Sequence, residues 1–119
     1  MDGTWHLTGW KIITGADTVD KRSRLLACQR DDRFRFTPTG VLVCSEGPLA
    51  CSGSQPRATV SIRSWNLDAS GTKLTISAGG AGVSSATYTV EQLTADALRL
   101  RYARVVDGVP VIEILSYLN

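Results

Sequence analysis

Apolar and polar positions alternate in short runs along most of the chain, which is the period of a half-buried β-strand. Segment 5–13 begins with such an alternation and ends in strand-forming residues. Turn-forming residues such as Pro, Gly and Asp separate most of the runs that follow. Seven further segments carry the strand pattern, at residues 34–36, 41–44, 60–67, 74–76, 87–90, 98–103 and 111–118. The sequence therefore predicts eight short strands.

Three segments depart from this simple alternation. Between Ile62 and Trp65 the apolar phase slips by one residue, which predicts a β-bulge. Residues 45–57 are rich in Ser, Gly and Pro and are expected to form an exposed loop, and the glycine run 78–82 a flexible connector. Only segment 17–27 could hold a helical turn, and it is too short and too charged to form a packed crossover helix.

Eight consecutive strands without crossover helices favour an all-β fold with an antiparallel, up-and-down arrangement. A closed barrel removes both exposed sheet edges, whereas a β-sandwich is the main competing architecture. An eight-stranded barrel is just wide enough to be filled by side chains or to hold one small ligand. With 119 residues, the chain is expected to form a single barrel domain over residues 1–119.

Composition and charge narrow the classes of function. The chain is 43% hydrophobic and 20% charged, which is ordinary for a globular protein. Its net charge of +2 is small and its arginines are scattered, so no nucleic-acid partner is expected. No apolar run approaches the ~18 residues of a membrane-spanning helix. Residues 1–5 lead directly into the first strand, so the chain is either cytoplasmic or the mature part of an exported protein.

No group of residues in the sequence predicts a reaction. Asp31 and Asp32 are adjacent, so in a strand they would point to opposite faces, and we expect them to begin a strand or turn. His6 is the single histidine, without the spacing of a metal site or of a catalytic triad. The glycine run lacks the Lys-Ser/Thr of a phosphate loop. We therefore expect no catalytic residue, metal ligand or cofactor, and no enzyme.

Cys28 follows Leu25-Leu26-Ala27, which looks like a lipid-attachment motif. The residues before it include Lys21, Arg22 and Arg24 instead of the apolar stretch that a signal peptide needs, so lipidation of Cys28 is disfavoured. A reactive thiol would need a partner base. A disulfide is favoured, and three cysteines allow three pairings. Such a bond indicates an oxidising compartment. Cys44 lies in an apolar run and is expected to be a buried thiol.

The order of several short motifs resembles the bacterial lipocalin-like domains of small secreted or lipid-anchored envelope proteins. These motifs are Gly3-Thr4-Trp5, Cys28 to Asp32 leading to Phe36, Gly40, Cys51, Trp65, Lys73 to Ile76, Tyr88 to Val90, Leu93-Thr94 and Leu98. They span nearly the whole chain. The resemblance implies an eight-stranded barrel, export through a secretory or lipoprotein signal, and no enzymatic role in most members.

The resemblance also assigns roles to individual residues. It pairs Cys28 with Cys51 in a disulfide. It places Trp5 as the residue that closes one end of the barrel, against a basic side chain from a late strand, for which Arg99, Arg101 and Arg104 are the candidates.

Together these observations predict a non-enzymatic barrel module in the periplasm, in the cell envelope or secreted, with a leader or lipid anchor upstream as its only membrane contact. A ligand would be small and at least partly apolar. The expected barrel lining, whose alternative role is ordinary core packing, is Phe34, Phe36, Val60, Ile62, Leu74, Tyr88, Leu100 and Tyr102. The alternative function is a protein-interaction module such as a barrel-type protease inhibitor, with the loop 45–57 as its contact; its partner is unspecified. Only four residues precede Trp5, which argues against an inhibitory N-terminal arm.

Overall fold

The protein is built almost entirely of β-strands, in a computed structural model that describes residues 3–45, 47, 59–78 and 85–119. The strands are β1 Trp5–Thr14, β2 Asp17–Asp20, β3 Arg33–Phe36, β4 Val41–Ser45, β5 Thr59–Leu67, β6 Lys73–Ala78, β7 Ser85–Leu93, β8 Ala97–Val106 and β9 Val109–Leu118. A 3₁₀ turn, Arg22–Arg24, and a one-turn helix α1, Ala27–Arg30, lie between β2 and β3.

Eight of these strands close into an antiparallel barrel. From β3 to β9 each strand pairs with the next, β3 pairs with β1, and β9 returns to β1. The β1–β9 junction extends from the pair His6 and Leu118 to the pair Thr14 and Val111, with a register shift between Leu7 and Gly9. The predicted eight-stranded, up-and-down barrel is therefore confirmed.

The ninth strand, β2, lies outside the barrel on an edge of β1 that it shares with β3. It pairs with Lys11–Thr14, whereas β3 pairs with Trp5 and His6 of the same edge. The sequence predicted at most a helical turn over residues 17–27, so β2 is a correction. Three of its four residues are polar and exposed and Val19 is the apolar one, so β2 has little apolar surface to bury; it forms because the chain reverses after Thr14 and pairs with β1 through the backbone.

Between β2 and β3, the edge of β1 is covered by the chain that links them. The Nε of Arg22 donates a hydrogen bond to the carbonyl of Leu7 at 3.0 Å. The backbone N–H of Lys21 donates to the carbonyl of Trp10 at 2.8 Å. These bonds satisfy two backbone carbonyl oxygens of β1 that would otherwise accept hydrogen bonds from a neighbouring strand. The 3₁₀ turn is thereby attached to the barrel wall.

The core occupies the end of the barrel where β1 begins. Its members are Trp5, Phe36, Leu42, Cys44, Leu74, Leu98 and Leu100, all buried. Trp5 is 1% exposed and lies beside Phe34 of β3 in register. The Nε1 of Trp65 donates to the Thr37 carbonyl at 3.0 Å, which anchors the β3–β4 turn to β5.

None of the three arginines expected to pack on Trp5 does so. Arg99 and Arg101 alternate with the buried Leu98 and Leu100 on β8, so both lie on the outer face of the barrel. Arg104 lies near the other end of β8, opposite Val111, and is exposed. This part of the expected motif is wrong because the alternation of β8 turns Arg99 and Arg101 outward, and because Arg104, on the inward side of β8, lies beside Glu113 at the end of the strand far from Trp5.

The predicted bulge in β5 is also misplaced. Residues 61–64 pair without interruption with β4, and residues 63–67 do so with β6; the irregularity lies earlier, opposite Cys44 and Ser45. Ser61 and Arg63 therefore share the inward face with Trp65. Ile62 lies on the outer face and is 62% exposed, so its expected place in the barrel lining is wrong.

The cysteines divide between the described and undescribed parts of the chain. Cys44 is a free, buried thiol on β4, as predicted. Cys28 lies in α1, and Cys51 lies outside the described residues. Because Cys44 is free, both pairings that would use it are excluded. The pairing of Cys28 with Cys51 stays a prediction.

The other expectations from single residues have mixed outcomes. Asp31 and Asp32 connect α1 to β3, which agrees with their predicted place at the start of a strand. Of the loop predicted at 45–57, only Ser45 and Gly47 are described, and residues 79–82 of the glycine run lie outside the described part. No helix in the described ranges is long and apolar enough to cross a membrane.

Candidate ligand cavity

A cavity of about 320 Å³ lies inside the barrel, adjacent to the core. Most of its wall is apolar, and its polar groups include three hydroxyls, two carboxylates and a guanidinium. The lining residues are Trp10, Asp32, Phe34, Phe36, Leu42, Cys44, Ser61, Arg63, Ile76, Tyr88, Leu100, Glu113, Leu115 and Tyr117. The barrel is therefore filled at the Trp5 end and hollow beyond it.

The eight residues expected to line the barrel separate into four groups. Those that line the cavity are Phe34, Phe36, Tyr88 and Leu100. Leu74 is fully buried in the core, and the ring of Tyr102 packs against Tyr88 with centroids 5.3 Å apart. Ile62 faces outward, and the side chain of Val60 lies outside the described residues. Whether the four lining residues bind a ligand stays a prediction.

Aromatic rings from separate strands form much of the cavity wall. Phe34 of β3 meets Tyr117 of β9 edge to face, with centroids 5.5 Å apart. Phe36 meets Trp65 in the same way at 5.6 Å. Such edge-to-face pairs are the arrangement that ring quadrupoles favour. Two of the lining rings, Phe34 and Phe36, are thus held by other rings.

Glu113 is a mostly buried carboxylate in the cavity wall. On β9 it lies opposite Ile12 of β1 and Tyr102 of β8, and opposite residues of antiparallel strands share a face. Its Oε1 accepts a hydrogen bond from the Nε1 of Trp10 at 2.6 Å. Its Oε2 lies 3.8 Å from Nη2 of Arg104; the two side chains are 15% and 42% exposed.

The two tyrosines of the cavity keep their protons. Burial raises the pKa of Tyr117 well above its ordinary value, with smaller contributions from its neighbours. Burial also raises the pKa of Tyr88, and the carboxylate of Glu113 adds to this effect, while the guanidinium of Arg63 opposes it. Both phenols therefore remain hydrogen-bond donors at neutral pH.

The charged groups of the lining are unequal in number. Asp32 and Glu113 are acidic and Arg63 is basic, while Arg104, outside the lining, forms an ion pair with Glu113. The chain as a whole carries +2. The cavity is therefore an aromatic compartment whose wall carries charged groups of both signs.

The other residues of the lining were not among those expected: Trp10, Asp32, Leu42, Cys44, Ser61, Arg63, Ile76, Glu113, Leu115 and Tyr117. Arg63 is one of the scattered arginines, and nothing in the sequence around it indicates an inward position, since charged side chains are usually exposed. Glu113 is the one charged residue in the otherwise apolar β9, and this isolation is the signal that could have identified it.

The arrangement is suited to binding. A mostly apolar pocket with a few fixed polar groups can orient one small molecule. In the part of the chain that is described, no three His, Cys, Asp or Glu side chains come together in a way that could hold a metal ion.

No protein-family model, curated protein or solved structure matches the chain. Its function is accordingly inferred from the cavity and from the sequence.

Proposed function

We propose that the protein is a non-enzymatic, lipocalin-like module that binds a small, partly apolar ligand in the barrel cavity. The observation that carries this proposal is the cavity itself. Its volume of about 320 Å³ lies within the range of small-molecule sites, which is roughly 300–1,000 Å³. Eight-stranded barrels commonly leave room for one such ligand.

The lining suggests how a ligand would lie. Phe36 and Leu100 belong to the buried core and form an apolar floor. Glu113 and Arg63 supply charge along the wall. An apolar body would contact the floor, where burial contributes about 25 cal/mol per Å² of apolar surface. A polar group of the ligand would remain beside the charged wall.

Replacing Ser61 by tryptophan is expected to block the cavity. Ser61 lines it from β5, whereas Ser64, on the same strand, points outward and is exposed. We expect Ser61→Trp to weaken binding of the neutral fluorescent probe N-phenyl-1-naphthylamine at least tenfold, measured by titration. Ser64→Trp should bind as the unmodified protein does.

Two results would contradict the proposal. One is the absence of saturable binding to the unmodified protein. The other is equal binding by Ser61→Trp and Ser64→Trp, which would place the probe outside the barrel. Circular dichroism of both variants checks that they fold.

One observation favours the alternative of a protein-interaction module. The end of the β8–β9 hairpin exposes Val105, Val106 and Val109 to solvent. A partner that docked on this hairpin would bind Ser61→Trp and the unmodified protein equally well, which separates it from a ligand in the cavity.

We propose in addition that the protein is exported to an oxidising compartment and that Cys28 pairs with Cys51. In the chain-entropy account, closing this loop contributes about 3 kcal/mol to stability. We expect non-reducing peptide mapping to recover a peptide that joins Cys28 to Cys51. Cys44 is buried and free, so it should be alkylated only after unfolding. Alkylation of Cys28 in the native protein would contradict the pairing.

A further inference from the structure

Burying the carboxylate of Glu113 costs free energy, and its described contacts offset this cost only in part. Its side chain is 15% exposed within a mostly apolar wall, and removing a carboxylate from water costs several kcal/mol unless it is paired and hydrogen-bonded. A carboxylate offers about four acceptor positions. Among the described residues, one position receives the indole N–H of Trp10.

The ion pair with Arg104 compensates little of the free-energy cost of burying Glu113. At 3.8 Å the nearest nitrogen and oxygen are near the limit of an ion pair, and one distance of this kind is not the bidentate geometry that guanidinium groups favour. The side chain of Arg104 is 42% exposed, so water competes for its charge. These contacts therefore leave the carboxylate of Glu113 accessible to a positively charged group in the cavity.

The aromatic rings near Glu113 also favour a positively charged ligand. Trp10 contacts Glu113 directly, Tyr102 lies opposite it in register, and Tyr88 packs against Tyr102. The faces of aromatic rings attract cations, and most strongly where water is excluded. Arg63, the basic residue of the lining, is exposed and thus screened by solvent.

We propose that the cavity selects an organic cation, namely an amine or quaternary ammonium with an apolar body. The cationic group contacts the carboxylate of Glu113 and the surrounding rings, and the apolar body lies on Phe36 and Leu100. This inference rests on the proposed function and names the class of ligand that the same site takes.

The test compares three probes that share one apolar body and differ in the head group: 3-phenylpropylamine, 3-phenylpropan-1-ol and 3-phenylpropanoate. Isothermal titration at pH 7 in 150 mM salt gives each dissociation constant. We expect the ammonium to bind at least tenfold more tightly than the alcohol, and the carboxylate to bind most weakly. The unmodified protein suffices for this comparison.

A matched pair of variants then assigns the preference to one side chain. Glu113→Gln keeps the shape and an acceptor for Trp10 but removes the charge. We expect it to bind the ammonium and the alcohol within threefold of each other, with the affinity for the alcohol retained. Glu91→Gln, on the exposed surface of β7, should leave the ammonium preference unchanged.

The possible outcomes distinguish a failure of the cation preference from a failure of the proposed ligand-binding function. An alcohol or carboxylate that binds as tightly as the ammonium overturns the cation preference and leaves the binding cavity standing. An ammonium preference that survives in Glu113→Gln overturns the role of Glu113. If none of the three probes binds, and the neutral probe also fails to bind, the proposed function itself is overturned.

Discussion

Replacing Trp5 by alanine is expected to lower the free energy of unfolding by about 3–5 kcal/mol, the range for truncating a buried aromatic side chain. Trp5 is 1% exposed and belongs to the core that fills one end of the barrel. Its loss removes buried apolar surface and leaves a cavity that the short β3 strand is poorly placed to close. Urea unfolding followed by circular dichroism measures the change.

The control lies on the outer face of the barrel. Ile62 is a large apolar residue that is 62% exposed, so Ile62→Ala should change the free energy of unfolding by less than about 0.5 kcal/mol. Trp5→Phe should cost less than Trp5→Ala. The Nε1 of Trp5 has no hydrogen-bond partner among the described residues, so phenylalanine sacrifices volume but no bond. Equal losses at Trp5 and Ile62 would refute this account of the core.

Above pH 10 the protein is expected to lose stability faster than its Tyr117→Phe variant. Burial raises the pKa of Tyr117 in the folded protein, whereas in the unfolded chain it stays near 10. The unfolded state therefore releases this proton first. Stability is intact below pH 10 and declines as the pH rises from 10 toward the folded pKa, by about 1.4 kcal/mol per pH unit from this residue.

The measurement is a double difference. Urea unfolding at pH 8 and at pH 11 gives the alkaline loss for each protein, and the loss should be about 1.4 kcal/mol smaller for Tyr117→Phe. An effect of the missing hydroxyl that does not depend on pH is the same at pH 8 and pH 11, so it cancels in this difference. An identical alkaline loss in both proteins would show that the Tyr117 phenol ionises as freely when folded as when unfolded.

The barrel was predictable because most strands alternate in the simple way that a half-buried sheet requires. Leu98 and Leu100 lie inward and Arg99 and Arg101 outward, as their pattern indicated. The strand β2 was not predictable, since Asp17-Thr18-Val19-Asp20 has no apolar face and is held by backbone pairing. Local sequence contains little information on a strand of that kind.

The cavity was only partly predictable, because a hollow barrel breaks the rule that inward residues are apolar. Ser61 and Arg63 are inward on β5, so the apolar phase seemed to slip and Ile62 was assigned to the wrong face. Glu113 and Trp10 meet across 103 residues of sequence. A contact of that range depends on the register of β1 against β9, which no short segment specifies.

The junction of β1 and β9 has a consequence for how the protein reaches its native state. His6 pairs with Leu118, so the barrel closes by joining its first strand in sequence to its last. Such long-range pairing makes folding slow, because most of the chain must be ordered before the contact forms. During synthesis, β1 has no β9 to pair with until the residues of β9 have been translated. Until then Trp5 and Leu7 lack a covering wall and offer apolar surface to chaperones.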